Sequence, residues 1–464
     1  MRFVFLIVYV TFFNYSALAE NKDYIVLSDI VITGNEKTKS NIILRELDFE
    51  KGDTLNIEIL EKKLSQSKNK LINLQLFLHV NLAIINCEPP FAELQINLAE
   101  QFFIFPFPVF RLADRSFNEW WYNRGHKLNR TIYGVNLVHL NVGGRAEEFI
   151  LNLENGFTKQ LALIYRKPYI DKMMKTGLDF ELVYNTNKQI AYKTDFDKLV
   201  FARSDENVLL KKFSTRISLN RRNNFYVRQK FEIGYFKESL SDSISGLNPN
   251  YFLNKQTEIK YLRLRYIYDD DHRNNIVYAN QGYFFRARLG QSGIFKSDNF
   301  RQFEVYLLFA KYLKLSPIFY ADINFRTKFT NPKLQPFAIQ QGLGYKNENV
   351  RGYDLNVIDG QKFGILKTNF RAKFLDSFIK IPGIGVWKSA QNQPFAIYGR
   401  LFYDGGYVKN HFAHLNNSIL ANKYISGYGL GVDLVSIYSG ALRISYSFND
   451  SGKKGLFFDF GKEF

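Results

Sequence analysis

The chain holds a single cysteine, Cys87, which excludes any internal disulfide and leaves that thiol the expectation of a packed or loop position with no function. Long apolar runs are missing everywhere but the extreme N-terminus, and mean hydropathy is −0.23. A bundle of membrane helices is therefore excluded, because each helix needs about 20 consecutive apolar residues. Histidine is scarce, six in all. The pair His411 and His414, and the run Asp269-Asp270-Asp271-His272, fall between strand patterns and lack the further ligands of a metal site, so both read as solvated turns. Gly290-Gln291-Ser292-Gly293 lacks the last glycine of a serine-hydrolase elbow. Gly342-Leu343-Gly344 has neither the lysine nor the strand-to-helix setting of a phosphate loop. With no catalytic constellation in view, no enzyme activity, cofactor or metal is expected. Acidic residues are the minority, 44 against 62 basic, for a net charge of +18. Nucleic-acid binding is one reading of such a balance. The charge is not gathered into one long basic run, and in an exported chain anionic lipid headgroups or a basic lumen account for it better.

Aromatic residues are abundant instead, at 17% with 45 Phe and 29 Tyr, as expected where rings form girdles at a bilayer surface. The N-terminus has the form of a secretory signal over residues 1–19. Arg2 supplies the positive start, Phe3 to Phe13 the apolar middle and Ala17-Leu18-Ala19 the cleavage site, leaving Glu20 as the mature start.

Residues 24–101 read as one small α+β domain. Tyr24–Ile32 alternates as a strand and stops at the turn pair Gly34-Asn35. Thr38–Leu47 reads as a helix with Ile42, Ile43 and Leu47 on one face, broken by Gly52-Asp53. A longer helix, Ile57–Leu74, carries the stripe Ile57, Leu60, Leu64, Leu71 and Leu74. Strands near Leu76–Ile85 and Ala92–Ala99 follow, joined at Glu88-Pro89-Pro90. The outer strand of such a sheet is free to accept an extended peptide; equally, the domain could simply dock a partner or brace its neighbour.

Residues 102–130 read as an aromatic and proline-bearing linker. Pro106 and Pro108 exclude a central strand or a helix, and its rings suit the membrane surface near Trp120, Trp121 and Tyr122. From 131 to 464 the pattern is strand, turn, strand. Phe319, Ala321, Ile323, Phe325 and Phe329 oppose Asp322, Asn324, Arg326 and Lys328; Leu442, Ile444, Tyr446 and Phe448 oppose Arg443, Ser445 and Ser447. A soluble sandwich alternates in the same way, but with the export signal and the aromatic excess the expected fold is mainly β, a transmembrane antiparallel barrel of about 16 strands. Loops such as Asn187–Asp205 and Ser239–Gln256 would face outside. In the last strand Leu456, Phe458, Phe460 and Phe464 share one face.

One stretch organises the rest. Val350-Arg351-Gly352-Tyr353-Asp354 suggests a cation held in a fixed pose against a carboxylate. Phe402-Tyr403-Asp404-Gly405-Gly406 offers that carboxylate, with Asp404 and Gly406 on one strand face and Leu401, Tyr403 and Tyr407 on the other. The first run resembles the V-R-G-Y/F motif of the BamA/TamA superfamily, outer-membrane barrels with periplasmic POTRA domains. The resemblance implies that Arg351, Gly352 and Tyr353 lie on an extracellular loop folded into the lumen, latched to Asp404 and Gly406 on the wall. Residues 24–101 likewise look like one POTRA domain, with Gly34, Asn35, Gly52, Asp53 and Phe77 where that family keeps its hallmarks. Phe458, Phe460 and Phe464 resemble the terminal-strand signal of such barrels. Family logic pairs the last strand with a first strand around Thr131–Leu140, in a short, weak seam.

The implied protein resides in the bacterial outer membrane with its POTRA domain in the periplasm. Its implied work is assembly and insertion of other outer-membrane proteins, in an accessory or specialised role because a single POTRA domain departs from the central factor. A two-partner secretion pore and a passive channel are the alternatives. Expected partners are outer-membrane lipids and lipopolysaccharide, unfolded outer-membrane or exported clients, and accessory subunits, with no nucleic acid.

Overall fold

The computed structural model describes residues 24–461 apart from 89, 172, 174, 225, 346, 381–391 and 437–439. Segment 1–19, read as a signal, and the terminal Phe464 lie outside the described residues. The chain divides into two units, Met1–Gln101 and Phe102–Phe464.

The first unit has strands β1 (Tyr24–Thr33), β2 (Thr54–Asn56), β3 (Phe77–Glu88) and β4 (Phe91–Glu100), with helices α1 (Ser40–Leu44) and α2 (Ile57–Asn73). The sheet order is β2-β1-β4-β3, with β1 parallel to β4 and the other pairs antiparallel. Apolar residues at alternate strand positions, Leu27, Leu94 and Ile96, meet Ile43 of α1 and Leu71 of α2 in the core. α2 starts where the Asn56 side chain accepts the Glu58 amide at 2.7 Å, satisfying one otherwise orphaned donor. Two details differ from the sequence expectation. The short β2 follows Gly52-Asp53, and only Leu71 of the α2 stripe is fully buried while Ile57 is exposed.

The second unit begins with β5 (Ile104–Leu112), β6 (Thr131–Val142), β7 (Glu147–Gly156), β8 (Thr158–Lys167) and β9 (Thr176–Asn187). A hairpin of β10 (Gln189–Asp195) and β11 (Lys198–Arg203) precedes β12 (Leu210–Arg222) and β13 (Val227–Leu240). β14 (Glu258–Asp271), β15 (Gly282–Ser292), β16 (Gln302–Lys314) and β17 (Phe319–Asn331) come next. The short pair β18 (Gln341–Leu343) and β19 (Ile358–Asp359) leads to β20 (Lys362–Lys380) and β21 (Asn392–Lys409). The chain closes with β22 (Tyr424–Ser436), β23 (Gly440–Asn449) and β24 (Lys454–Gly461).

Among the described residues, sixteen of these strands form one antiparallel sheet in chain order from β5 to β24, with β10–β11 and β18–β19 as separate two-stranded pairs. Alternation sets the two faces. On β17, Phe325 is 45% exposed and the adjacent Arg326 only 5%. Rings outward and charges inward invert the arrangement of a soluble core, as a wall facing lipid requires.

The sheet starts one strand earlier than the sequence suggests. Ile104–Leu112, inside the stretch 102–130 expected to be a linker, pairs with β6 from Ile104 opposite His139 to Leu112 opposite Thr131. The prolines are tolerated for a geometric reason. The Leu140 amide donates to the Phe103 carbonyl at 2.7 Å and the Ala113 amide to Arg130 at 2.8 Å, so odd-numbered residues turn their backbone groups toward β6. Pro106 and Pro108 are even-numbered and face the free edge, where a missing N–H removes no ladder bond. The expectation excluded a central strand; this is an edge strand.

Candidate functional site

The connection between β17 and β20 lies against the inner faces of β20 to β23. Its apolar residues Leu343, Val350, Tyr353 and Ile358 are buried with Phe363, Ile365, Val408 and Ile425 of the wall. At its centre the Arg351 backbone amide donates to Asp404 Oδ2 at 3.0 Å and Arg351 Nε donates to the same oxygen at 2.7 Å. Arg351 Nη2 bonds Asp404 Oδ1, completing a fork. Arg351 Nη1 donates to Asn369 Oδ1 at 2.6 Å, and the guanidinium stacks 4.0 Å from the Phe402 ring centre. Asp404 is fully buried. Desolvation of both charges is offset only because nearly every donor and acceptor of the pair is used, and removing one partner would strand the other.

The network runs on along the wall. Asn369 donates to Asp322 Oδ1 at 2.6 Å, and Asp322 faces Arg371 at 3.0 Å. Tyr353 donates its hydroxyl to Asp450 and sits 2.9 Å from Ser451 Oγ, in the turn between β23 and β24. The Gly352 carbonyl accepts from Asn449 at 2.8 Å. Gly406 makes room for the loop: a Cβ there would stand 2.6 Å from Val350 Cγ2. Thus Arg351, Gly352, Tyr353, Asp404 and Gly406 come together in one place.

The sequence reading missed three contributors. Asn369 and Phe402 complete the arginine's cage. Gly427 is the third: a Cβ there would overlap the Arg351 carbonyl oxygen. Gly427, Gly429 and Gly431 alternate along β22, and a strand face stripped of side chains is a legible sign of close approach by something else. Gly429 clears the Phe402 ring and Gly431 the Arg400 guanidinium.

The second feature is the seam. β24 does not pair with β5 among the described residues. The connection after β5 fills the gap with a short helical turn, Glu119–Asn123. Asn118 Nδ2 donates to the Phe458 carbonyl at 3.2 Å and the Phe458 amide donates back to Asn118 Oδ1 at 3.0 Å. Tyr122 donates to the Leu456 carbonyl at 3.3 Å, and the Phe117 and Phe458 rings meet edge to face. Phe460 of the terminal-strand triplet is 73% exposed on the outer face. In the first unit, Gly34 has φ +81° and no room for a Cβ beside the Leu98 carbonyl; Asn35 donates to the Thr38 carbonyl at 3.0 Å. Gly52 also takes a positive φ, Asp53 accepts the Glu50 amide at 2.8 Å, and Phe77 is buried. All five shape the turns and core of that unit. Among the described residues no group of three or more His, Cys, Asp or Glu side chains could hold a metal.

Family comparison accounts for both units. The model described as POTRA, surface antigen variable number repeat, matches residues 25–101, and the Omp85 superfamily domain matches residues 141–464. The chain belongs to the Omp85 superfamily. The Omp85 fold is also that of BamA from Haemophilus ducreyi lacking POTRA domains 1-3, with TM-score 0.55 at 13% identity over 94% of this chain and 83% of that one. CdiB from Acinetobacter baumannii gives 0.52 at 15% identity, over 95% and 74% of the two chains. CdiB from Escherichia coli gives 0.55 at 11%, over 94% and 76%. No curated protein sequence matches. This Omp85 protein is therefore an outer-membrane β-barrel with a periplasmic POTRA domain.

Proposed function

We propose that this Omp85 protein assists the insertion of other outer-membrane proteins, in an accessory or specialised role. The observation that carries the reading is the seam, where, among the described residues, the first and last strands of a lipid-facing wall form no ladder. A sheet edge left unpaired in hydrocarbon costs several kcal/mol per backbone group, so such an edge favours any strand that completes it. Unfolded clients dock on the POTRA sheet edge by strand addition, which tolerates many sequences because only backbone groups are read. They then template at the seam, where lipid and lipopolysaccharide are already disturbed. Arg351 and Asp404 hold the inward loop so the rest of the barrel keeps its shape while the seam changes. No covalent bond is made or broken, and accessory subunits complete the assembly.

A second reading, a two-partner-type secretion pore, is favoured by the likeness to CdiB from two organisms. Depleting the protein in cells separates them. General loss of folded outer-membrane barrels supports insertion, whereas loss of one exported protein with barrels intact supports secretion. Altered permeability alone removes both.

A further inference from the structure

We propose that the outer ends of β12, β13 and β14 form a seat for one lipopolysaccharide molecule. Lys211, Lys237 and Lys260 take the two phosphates of its lipid A part, and an apolar depression below them takes acyl chains. β5 follows the periplasmic POTRA unit in the chain and starts at the periplasmic side, so alternate strands of the antiparallel sheet run outward. β13 is the seventh of the sixteen and therefore ends at the outer leaflet, paired there with the start of β14 and of β12.

The three lysines face lipid rather than lumen. Leu210, Ile259 and Tyr261 are buried on the inner face, and Phe236 stacks there on Tyr261. Alternation turns their neighbours Lys211, Lys260 and Lys237 the other way. Register then sets Lys237 directly opposite Lys260, and Lys211 opposite Ser239, two residues further along β13. Like charges directly opposite on one sheet face destabilise the pair. Glu258, at 3.0 Å from Lys237, offsets one of them. Among the described residues no carboxylate pairs with Lys211 or Lys260, so three lysines stand against one glutamate. Just below this row lie the rings of Tyr184, Phe213 and Tyr235, the aromatic belt of a bilayer surface. The anions met at that depth are lipid phosphates.

The depression lies deeper on the same sector. It holds about 500 Å³ and is lined by Ile217, Leu219, Phe231, Ile233, Leu264 and Leu289. Ile233 and Leu264 stand four residues from Lys237 and Lys260 on the same face, about 13 Å along the strands. That places the depression within the ~15 Å of hydrocarbon in one leaflet. The lysines themselves span two strand spacings, from β12 to β14, about 10 Å. A single phosphate does not bridge that width, whereas phosphates at the two ends of a disaccharide do. The spacing therefore favours a diphosphorylated glycolipid over a glycerophospholipid.

The test titrates lipid A into the full-length protein in detergent with EDTA present, and counts bound lipid by native mass spectrometry. Cardiolipin, whose two phosphates are close together, is the comparison, and heat-dependent mobility shows that each variant is folded. Lys237→Ser with Lys260→Ser should lower lipid A affinity about tenfold, and adding Lys211→Ser should lower it about tenfold again. Glu258→Gln, which frees Lys237, should raise it about threefold, the scale of one exposed ion pair. Leu264→Trp fills the depression and should weaken lipid A severalfold with the lysines intact. Unchanged affinity in the folded triple variant, or a fall with Glu258→Gln, overturns the site. Cardiolipin binding as tightly as lipid A overturns the glycolipid assignment.

Discussion

The two sides of this barrel are built on opposite principles. Across β20 to β23 the wall is continuous, and a loop is fastened to it by buried charges, glycine clearances and an aromatic platform. At β24 and β5 the described residues form no ladder, and one asparagine and one tyrosine bond to the β24 edge instead. A buried ion pair is strongly penalised when half of it is removed, so it holds one arrangement. A pair of neutral hydrogen bonds at an edge contributes only about 1 kcal/mol each and exchanges readily for equivalent bonds to another chain. Rigidity and replaceability are thus placed in different sectors of the same sheet.

The sharpest way to break this contrast is Asp404→Ala. It leaves the Arg351 guanidinium buried without its carboxylate, and the expected loss is about 3–5 kcal/mol of loop docking. Urea unfolding in vesicles, followed by the heat-dependent mobility of the folded barrel, measures it. Arg351→Ala strands the fully buried Asp404 carboxylate and should cost a similar amount, and the double variant should cost far less than the sum, since both changes remove one interaction. Additive losses would mean the two side chains act separately.

Next in size is Gly427→Ala. Its new methyl would overlap the Arg351 carbonyl oxygen, so loop or strand must shift, at about 1–3 kcal/mol of strain. Gly364→Ala on β20 has open space around it and an ordinary strand backbone, and is the control within the same sector. If both behave alike, the loop is not clamped against β22.

How much of this was legible follows the same division. The wall was readable because lipid outside and charge inside force strict alternation, as in Phe325 beside Arg326, and that repeats strand after strand. Arg351 and Asp404 were readable because one short run and one strand carry most of their partnership. β5 was hidden because proline is read as a strand breaker, whereas at a free edge it costs no bond. Asn118 was not readable: a lone asparagine among aromatic residues carries no pattern, and its partner Phe458 lies 340 residues away. In the POTRA unit, Gly34 announced its turn locally, but the three-residue β2 is defined only by its pairing with Tyr24–Val26.

At the seam the predicted effects are smaller and opposite in sign. Pro106→Ala with Pro108→Ala gives β5 two new edge-facing donors. Closure against β24 should gain about 1 kcal/mol per bond formed, read as slower hydrogen exchange at the Leu456 and Phe458 amides. Faster exchange there would show that the prolines are not what keeps β5 from pairing.

The smallest effect asks whether the two sectors communicate. Arg115→Lys keeps the positive charge near Glu119 but cannot reproduce the fork that joins Glu119 to the Gly344 carbonyl. Loop docking should weaken by no more than about 1 kcal/mol, within the range of one exchanged hydrogen bond. Exchange at the Phe458 amide should nonetheless quicken, because Glu119 positions Asn118. In an Asp404→Ala background the same substitution should have no further effect on that amide, since the loop carrying Gly344 has already been released. An equal effect in both backgrounds would make the Asn118–Phe458 contact independent of the loop, and the latch would then be a device for barrel stability alone.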